Sequence, residues 1–229
     1  MAGSFAAKEP ELPAHACPIC QGTSEAFVPA GDDRTYFSCP HCQLIQLAEA
    51  HHLSPEKQKQ RYEQHENSLD NPGYVERFEG FLKAGVDPFV GKGGRVLDFG
   101  CGPEPVLAWL MERRGYEVDR YDLFFHPDEA YRTQQYHLIT LTEVLEHLTD
   151  PLGTLRALSP RLAPGGVFTV MTLFHPNDRA KFADWWYRRD PTHVSFYTVK
   201  TLGELANALG MKVLFSDAKN TVVLGAAGL

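Results

Sequence analysis

Residues 93–105 have the sequence Gly-Gly-Arg-Val-Leu-Asp-Phe-Gly-Cys-Gly-Pro-Glu-Pro, in which an apolar run leads into a glycine turn. The run from Arg95 to Phe99 predicts a short buried strand, and a helix is expected after the turn. Gly100 and Gly102 lack Cβ atoms, so the backbone can approach a ligand closely there. Such a turn, at the carboxyl end of the first strand of an open α/β sheet, is where nucleotide-like ligands bind.

The residues around these glycines discriminate between classes of ligand. A dinucleotide fingerprint requires Gly-x-Gly-x-x-Gly, whereas Pro105 stands at its last position here. Asp98 lies two residues before the first glycine, where its carboxylate would repel a pyrophosphate and attract an ammonium group. The turn therefore favours a ligand that carries a positive charge.

At these residues the chain resembles motif I of class I S-adenosylmethionine-dependent methyltransferases, an Asp-x-Gly-x-Gly-x-Gly loop. Asp98, Gly100 and Gly102 match the motif, and Glu104 stands where the third glycine would be. A carboxylate in the first turn of a helix is favoured by the helix dipole. A purely structural turn is the alternative, so the order of the following elements has to decide.

The composition indicates a protein with a full hydrophobic core. Its 229 residues are 43% hydrophobic, enough for one main domain and a small additional one. The net charge of -7 argues against a nucleic acid as partner, because a phosphate backbone requires a basic surface. The chain has no apolar signal segment and no run of about 18 apolar residues, so we expect a soluble cytoplasmic protein without a membrane partner.

Four of the five cysteines form two Cys-x-x-Cys pairs near the start of the chain. This spacing lets two tight turns present four thiolates to one tetrahedral Zn²⁺. It predicts a structural zinc ribbon over residues 1–50, with four free thiols in a loop as the alternative. Residues 1–56 carry two basic and seven acidic side chains, so a ribbon that binds nucleic acid is not expected. The predicted zinc ligands are Cys17, Cys20, Cys39 and Cys42.

Two helices are predicted between the ribbon and the glycine turn. Ser54 and Pro55 are typical N-cap and first-turn residues, and they predict a polar helix that extends to about Glu66. Asn71-Pro72-Gly73 is expected to end it, and a second helix is predicted from about Tyr74 to Ala84.

In the methyltransferases that this chain resembles, helices before motif I lie over the cofactor. Residues 51–92 are therefore expected to form a helical cap over the cofactor site. Tyr62 and His65 are candidate cofactor contacts on the first of these helices, with solvated helix residues as the alternative.

From residue 93 onward the chain alternates strands and helices, which predicts a parallel sheet and a cofactor-binding domain over residues 93–229. A second strand is predicted from Tyr116 to Tyr121, and Asp122 follows it, 20 residues beyond Gly102. An acidic side chain at that place can accept hydrogen bonds from both ribose hydroxyls of a nucleoside. This matches the second motif of the family, with a surface aspartate as the alternative.

Only residues 123–136 separate Asp122 from the next predicted strand, His137 to Leu141. A crossover with its own strand and helix needs about 30 residues. The predicted fold class is therefore α/β, a Rossmann-like methyltransferase sheet whose third strand is reduced or missing, with an N-terminal zinc-ribbon appendage. The acid that contacts adenine from the third strand in the family has no counterpart.

The remaining elements also follow the order of the family. They are a helix that begins at Asp150-Pro151, a turn at Ala163–Gly166 into a strand at 167–172, a helix at 200–209, and an antiparallel pair of strands at 211–216 and 221–224. The segment from Phe174 to Thr198 is an aromatic-rich insert. Its aromatic side chains either form a wall of a substrate pocket or pack in the core.

The resemblance to the family implies a set of residues that bind S-adenosylmethionine. These residues come from the glycine turn, from the ends of the second and fourth strands and from the helical cap: Asp98, Gly100, Cys101, Gly102, Asp122, Leu123, Thr142 and Tyr62.

The sequence Glu143-Val-Leu-Glu146-His147 follows the fourth strand and predicts a short helical turn. Residues at positions i, i+3 and i+4 share one face, so Glu143, Glu146 and His147 are expected to point together. The pattern resembles that of ubiquinone-biosynthesis O-methyltransferases and small-RNA 2′-O-methyltransferases, where it holds a divalent cation with a downstream histidine. His193 is the matching candidate, and Mg²⁺ or Mn²⁺ the expected ion. A metal-free polar or general-base role and a purely structural turn are the alternatives.

The expected function is transfer of the methyl group of S-adenosylmethionine to an oxygen atom of a polar or acidic small molecule. A sugar C-methyltransferase is one alternative, because that family also carries an N-terminal four-cysteine zinc site. A non-catalytic protein, which docks a partner through the ribbon and only senses the cofactor, is another. The altered third glycine and the missing third strand support that last alternative, and the identity of the acceptor and the oligomeric state are left open.

Overall fold

The chain forms two β-sheets in the computed structural model, which describes residues 15–64 and 68–226. The strands are β1 His15–Ala16, β2 Thr23–Phe27, β3 Tyr36–Ser38, β4 Ile45–Leu47, β5 Arg95–Phe99, β6 Glu117–Tyr121, β7 Tyr136–Thr142, β8 Leu162–Met171, β9 Ser195–Phe196, β10 Met211–Ser216 and β11 Thr221–Ala226.

Six α-helices lie between these strands in the described part of the chain. They are α1 Pro55–Tyr62, α2 Pro72–Phe81, α3 Val106–Arg113, α4 Pro151–Leu158, α5 Arg179–Asp184 and α6 Val199–Ala208. Within the described ranges, no helix is long and apolar enough to span a lipid bilayer.

The larger sheet has the strand order β10-β11-β8-β7-β5-β6. Strands β5 to β8 run parallel, β11 is antiparallel to β8, and β10 is antiparallel to β11 and so runs in the same direction as β5 to β8. Strand β6 is an edge strand, with no strand beyond it among the described residues. The predicted α/β fold with a missing third strand is therefore confirmed.

Helices cover both faces of this sheet, because alternate side chains of each buried strand point to opposite faces. On one face, α2 and α3 pack against Val96 and Leu138. On the other face, α4 and α6 pack against Leu97 and Ile139. The carboxyl ends of the parallel strands remain accessible at one edge of this three-layer arrangement.

A short 3₁₀ segment, Glu129–Thr133, takes the place of the missing strand and its helix. Its Tyr131 is buried, and the ring lies 4.7 Å from the ring of Tyr121 and 5.9 Å from that of Phe99, centroid to centroid. These aromatic contacts cover the face of β5 and β6 that would otherwise be exposed.

The smaller sheet contains the predicted ribbon and has the strand order β1-β2-β3-β4-β9, antiparallel throughout. Its last strand, β9, comes from the aromatic-rich insert, almost 150 residues after β4 in the sequence. The ribbon sheet is therefore completed by the methyltransferase-like part of the chain. The division into residues 1–50, 51–92 and 93–229 stays a prediction.

The two predicted helices between the ribbon and the glycine turn differ from the structure in their boundaries. Helix α1 begins at Pro55 as expected but ends at Tyr62; the predicted end at Glu66 and the candidate contact His65 lie outside the described residues. Asn71 does not end a helix: its side chain accepts a hydrogen bond from the Tyr74 amide and caps α2. Proline is tolerated in the first turn because its missing N–H has no partner there, so Asn-Pro-Gly is a start signal here.

Helix α2 continues without a break into a π-helical segment, Leu82–Val86, beyond the predicted end at Ala84. Gly85 explains the close packing of this segment: a Cβ atom there would lie 2.8 Å from the Thr169 side chain. Strand β8 also begins earlier than predicted, at Leu162, with an irregular register opposite Tyr136 and Leu138.

We expect Tyr131→Ala to lower the free energy of unfolding by about 3 kcal/mol, because it removes a buried aromatic ring and leaves a cavity. Tyr131→Phe keeps the ring and is the control, with an expected change below about 0.5 kcal/mol. Urea unfolding monitored by circular dichroism measures both. A loss below about 1 kcal/mol in Tyr131→Ala would show that the ring does not replace the missing elements.

Candidate active site

A cavity of about 760 Å³ lies at the carboxyl edge of the parallel strands. This volume is within the range of small-molecule and cofactor sites. All the residues predicted to bind the cofactor line it: Tyr62, Asp98, Gly100, Cys101, Gly102, Asp122, Leu123 and Thr142. Of the predicted catalytic residues, Glu143, His147 and His193 also line it, whereas Glu146 is fully buried beside it.

The glycine turn has the backbone conformation that its sequence predicts. Gly100 and Gly102 have φ values of +79° and +71°, which side chains other than glycine rarely adopt. A Cβ atom on Gly100 would lie 2.3 Å from Val144, whereas one on Gly102 would meet nothing within 4 Å. Gly100 is thus required for packing, and Gly102 leaves its backbone open to the cavity. Glu104, at the third glycine position, also borders the cavity.

Asp98 is buried at the base of this cavity and is only partly satisfied. Its Oδ1 accepts a hydrogen bond of 2.9 Å from the Thr140 hydroxyl, and its Oδ2 has no hydrogen-bond partner within the described residues. Burial raises the pKa of Asp98 to about 6, although the Thr140 hydrogen bond opposes the shift. A buried, unsatisfied acceptor is costly, so this site suits a ligand with a cationic hydrogen-bond donor.

The Asp122 carboxylate closes the glycine turn against the end of β6. Its Oδ2 accepts the Gly102 amide at 3.0 Å, and its Oδ1 accepts the amides of Phe124 and Phe125 at 2.8 and 3.1 Å. A carboxylate has about four lone-pair sites, so acceptor capacity for ribose hydroxyls remains.

Helix α1 contributes Gln58, Arg61 and Tyr62 to the lining of the cavity. The Tyr62 ring lies 5.1 Å from the His147 ring and 5.9 Å from the Phe124 ring. Arg61 forms an ion pair with Asp190 of the insert at 2.8 Å. Burial raises the pKa of Tyr62, so its phenol stays protonated at neutral pH.

Glu146, His147 and His193 form a second group of polar residues, of which the two histidines line the cavity. One potential ligand atom from each lies within 4.8 Å of the others. His147 Nδ1 lies 3.0 Å from the Thr192 carbonyl, and His193 Nδ1 lies 2.7 Å from the Tyr187 carbonyl. When Nδ1–H donates to a carbonyl, the neutral ring carries its lone pair on Nε2, which is how metal-binding and basic histidines are oriented.

Glu143 does not join this group, and the prediction that it shares a helical face with Glu146 and His147 is wrong. The 3₁₀ turn covers only Leu145–His147. Glu143 precedes it with a φ of +54°, and its amide donates to Met171 on β8 at 2.8 Å. Its carboxylate forms an ion pair with Arg77 of α2.

The Tyr187 hydroxyl connects the two glutamates. It lies 3.0 Å from Glu143 Oε2 and 2.5 Å from Glu146 Oε1. Burial and the neighbouring Glu146 raise the pKa of Glu143 to about 7, and burial raises that of Glu146 as well. A phenol has one proton to donate, so both contacts are satisfied when one carboxyl is protonated. The raised pKa values favour that state at neutral pH.

Arg77 was not identified from the sequence, because an arginine on the polar face of a helix has no motif that reveals a distant partner. The aromatic insert contains both of the environments that its sequence left open. Tyr187 borders the cavity and Trp186 is 66% exposed at its rim, whereas Phe196 and Tyr197 are buried in the core.

The side chains of the four predicted zinc ligands lie close together in the ribbon. Their sulphur atoms lie within 4.8 Å of one another, with Cys17–Cys42 at 3.4 Å and Cys20–Cys39 at 3.5 Å. Four sulphurs 2.3 Å from a tetrahedral Zn²⁺ would be separated by about 3.8 Å, so the group fits this ion. The hydrogen bond between the two thiols lowers the pKa of Cys17 and raises that of Cys42, so without a metal one proton is shared between them.

The two Cys-x-x-Cys turns have the same backbone structure. In each, the residue after the second cysteine, Gln21 or Gln43, has a positive φ of 61° or 68°. Its amide donates at 2.9 Å to the carbonyl of the first cysteine, Cys17 or Cys39. Two equivalent turns that face each other are typical of a zinc ribbon.

Comparison with known proteins agrees with this geometry. A family model described as a methyltransferase domain matches residues 74–215. The ubiquinone biosynthesis O-methyltransferase of Aeromonas salmonicida is 29% identical over 154 residues, which cover 53% of this chain and 64% of that protein. The protein of the same name from Xanthomonas campestris is 34% identical over 105 residues, 35% of this chain and 44% of that protein.

The matched regions thus span less than two thirds of the length of these relatives. Among solved structures, mitomycin 7-O-methyltransferase has a TM-score of 0.51 at 15% identity, over 68% of this chain and 55% of that one, which supports the fold alone. Since the family model covers more than half of the chain, the protein belongs to the methyltransferase domain family.

Proposed function

We propose that this protein is an S-adenosylmethionine-dependent methyltransferase that acts on an oxygen atom of a small molecule. The observation that carries the proposal is one cavity with two differently equipped ends. One group, called here the cofactor end, is the glycine turn with Asp122, and the other, called the acceptor end, is His147 and His193 with the adjacent Glu146. The names of the O-methyltransferase relatives support oxygen as the acceptor atom.

The residues at the first end fit the cofactor. The unsatisfied Asp98 carboxylate suits its ammonium group, Asp122 its ribose hydroxyls, and the open backbone at Cys101 and Gly102 its close approach. Tyr62 would cover it from α1. When bound, the cofactor supplies an electrophilic methyl group on a sulfonium, and the chain contributes by positioning the acceptor and excluding water.

The residues at the second end would receive the acceptor. Arg77 and Arg189 also line the cavity, together with Tyr187 and the exposed ring of Trp186. Cationic and aromatic side chains together suit a polar or acidic acceptor with a flat apolar part. Glu146, His147 and His193 would then act on its hydroxyl group.

Two roles are open to Glu146, His147 and His193. In the first, they hold Mg²⁺ or Mn²⁺, which would bind the acceptor oxygens and lower the pKa of its hydroxyl. Two imidazoles and one carboxylate suit Mn²⁺ better than Mg²⁺, which prefers oxygen ligands. In the second, a histidine takes the proton directly as a general base. Both imidazole rings, of His147 and His193, place Nδ1 against a backbone carbonyl, and this orientation is compatible with both roles. Glu143 would support the site through the Tyr187 hydroxyl.

We further propose that Cys17, Cys20, Cys39 and Cys42 bind one structural zinc ion. A closed set of four thiolates without an open position is typical of structural rather than catalytic zinc. The convergence of the sulphur atoms and the equivalent turns support this proposal.

The protein should bind S-adenosylmethionine and S-adenosylhomocysteine, and Asp122→Ala should weaken both affinities at least about tenfold, because it removes charge-assisted hydrogen bonds. Isothermal titration calorimetry measures this. Asp128→Ala is the control, since Asp128 is a carboxylate of the same crossover outside the cavity. No binding by the wild type would refute the proposed function.

Cofactor affinity should depend on pH through Asp98, whose pKa is raised to about 6. Below that pH, the free protein carries a protonated Asp98, and binding of an ammonium group has to release this proton. The affinity should therefore fall towards about tenfold per pH unit between pH 6 and 5. Asp98→Asn keeps an acceptor oxygen for the Thr140 hydroxyl but has no charge, so it should bind more weakly at pH 7.5 and show a flat profile. An equally flat wild-type profile would exclude this role of Asp98.

Measurement of Mn²⁺ binding distinguishes the two roles proposed for Glu146, His147 and His193. If a cation binds to Glu146, His147 and His193, zinc-loaded protein should take up one Mn²⁺ ion. The Glu146→Gln and His193→Ala substitutions should each lower the affinity for Mn²⁺ at least about tenfold. Electron paramagnetic resonance measures free Mn²⁺ in such a titration. His137→Ala, an exposed histidine at the opposite edge of the sheet, is the control. Unchanged Mn²⁺ binding in both variants would reject the cation and leave the general base.

A further inference from the structure

The zinc ribbon is hydrogen-bonded to the segment that carries His193. The Leu47 amide of β4 donates to the Val194 carbonyl at 2.8 Å. The amide of the same residue, Val194, donates to the Glu146 carbonyl at 2.7 Å. One residue therefore lies between a strand of the ribbon and the turn that carries Glu146 and His147.

Side chains reinforce this connection. Gln46 of β4 donates through Nε2 to the Ser195 hydroxyl at 3.2 Å and to the Thr149 carbonyl at 3.4 Å. The Ser195 hydroxyl in turn donates to the Leu148 carbonyl at 2.8 Å. Thr149 and Ser195, each two positions after a histidine of the site, are thus held together by one ribbon side chain.

The second zinc turn also contacts the main domain directly. The Gln43 carbonyl lies 2.8 Å from His175 Nε2, and its side-chain Oε1 accepts from the Thr198 hydroxyl at 2.9 Å. The Cys42 carbonyl accepts from the Thr201 hydroxyl at 2.9 Å. Peptide groups of a zinc ligand and its neighbour therefore hold the insert and the start of α6.

Apolar packing joins the same two regions. Ribbon residues and insert residues form one buried cluster that includes Tyr187, the residue that contacts both Glu143 and Glu146. Buried Arg188, next to Tyr187, forms an ion pair with Asp32 of the ribbon. The buried members of the cluster are Phe27, Tyr36, Ile45, Leu47, Phe182, Tyr187, Val194 and Phe196.

The cofactor end of the cavity is connected to the ribbon by apolar packing alone, since ribbon residues share a buried cluster with Leu97 and Tyr121. The amides of Gly100 and Cys101 donate to the Tyr121 carbonyl, and that of Gly102 donates to Asp122. Within the described ranges, no ribbon residue lines the cavity or bonds to this turn. Among the described residues, hydrogen bonds from the ribbon therefore reach the acceptor end and not the cofactor end.

We propose that the zinc ribbon is a positioning element of the acceptor end: through β4 and Gln46 it holds residues 193–196 and thereby sets the geometry of Glu146, His147 and His193. This inference rests on the proposed function for the role of these three residues, but the structural dependence can be measured without it. A ribbon with strands of two to five residues has little core of its own, so its order depends on the metal. Removal of zinc should loosen the acceptor end and leave the cofactor end intact.

The test uses the full chain in three variants. Cys20→Ser removes a zinc ligand, Gln46→Ala keeps zinc and removes the side-chain link, and Asp33→Ala changes an exposed ribbon residue as the control. Elemental analysis should find one zinc per chain in all proteins except Cys20→Ser. Hydrogen exchange of the Val194 amide reports the link, and exchange of the Gly100 amide reports the cofactor end.

In Cys20→Ser, protection of the Val194 amide should fall about 100-fold, because its segment opens locally while the main sheet stays folded. Protection of the Gly100 amide and the affinity for S-adenosylhomocysteine should stay within about twofold of wild type. Gln46→Ala should lower Val194 protection about tenfold with zinc retained. Asp33→Ala should match the wild type in every measurement.

A spectroscopic readout distinguishes positioning from general support. The imidazole ¹⁵N signals of His193 report which ring nitrogen carries the proton. The Tyr187 carbonyl, which lies 2.7 Å from Nδ1, favours the tautomer with the proton on Nδ1. The signals should shift to those of a mixture of tautomers in Cys20→Ser and in wild-type protein from which zinc has been removed. In the wild type, the original signals should return when zinc is added back. With an acceptor in hand, Gln46→Ala should lower kcat and leave the KM for S-adenosylmethionine unchanged.

Two results would overturn the proposal. Unchanged Val194 protection and His193 signals in Cys20→Ser would show that the ribbon does not position the acceptor end. Loss of Gly100 protection or of S-adenosylhomocysteine binding in Cys20→Ser would show that the ribbon supports the whole domain instead. If the wild type binds no cofactor, the proposed function fails. The comparison of hydrogen exchange at the Val194 and Gly100 amides still decides whether the ribbon positions the acceptor end.

Discussion

The parallel pairing of β5 with β6 and β7 is the constraint on which the site depends. Asp98 lies opposite Arg120 on one side and Thr140 on the other, so the three strands end at the same level. Gly100, Asp122 and Glu143 follow these ends directly and therefore meet at one edge of the sheet, although they are distant in sequence. A shift of one residue in either register would turn the buried side chains to the opposite face and separate these residues.

The missing third strand changes how this edge is built. In its absence, β6 has no neighbour on its outer side, and the crossover of 14 residues packs Tyr131 against Phe99 and Tyr121. The same short crossover begins with Asp122, which binds the amides of Phe124 and Phe125. One compact segment thus covers the sheet through Tyr131 and fixes the conformation of the glycine turn through Asp122, without a third strand.

The sequence was most informative where local chemistry determines structure. The positive φ of Gly100 and Gly102, the cysteine pairs and the acid after β6 all have short signatures, and each lies where it was expected. Contacts between distant segments have no such signature: the β4–β9 pairing depends on backbone groups that every residue carries. The helical phase assumed for Glu143 failed for a related reason, because a bond to β8 set its backbone conformation.

The separation of Glu143 from the histidine cluster has a consequence for the charge of the site. Two buried carboxylates that share one phenol cannot both be ionised without a compensating cation. Arg77 supplies that charge for Glu143 from α2, and Glu146 is left next to two imidazoles. Helix α2 therefore determines which glutamate is paired with a cationic side chain of the protein. Glu146 becomes the carboxylate whose charge must be balanced by a proton, by an imidazolium or by a metal ion, and this balance defines the chemistry of the acceptor end.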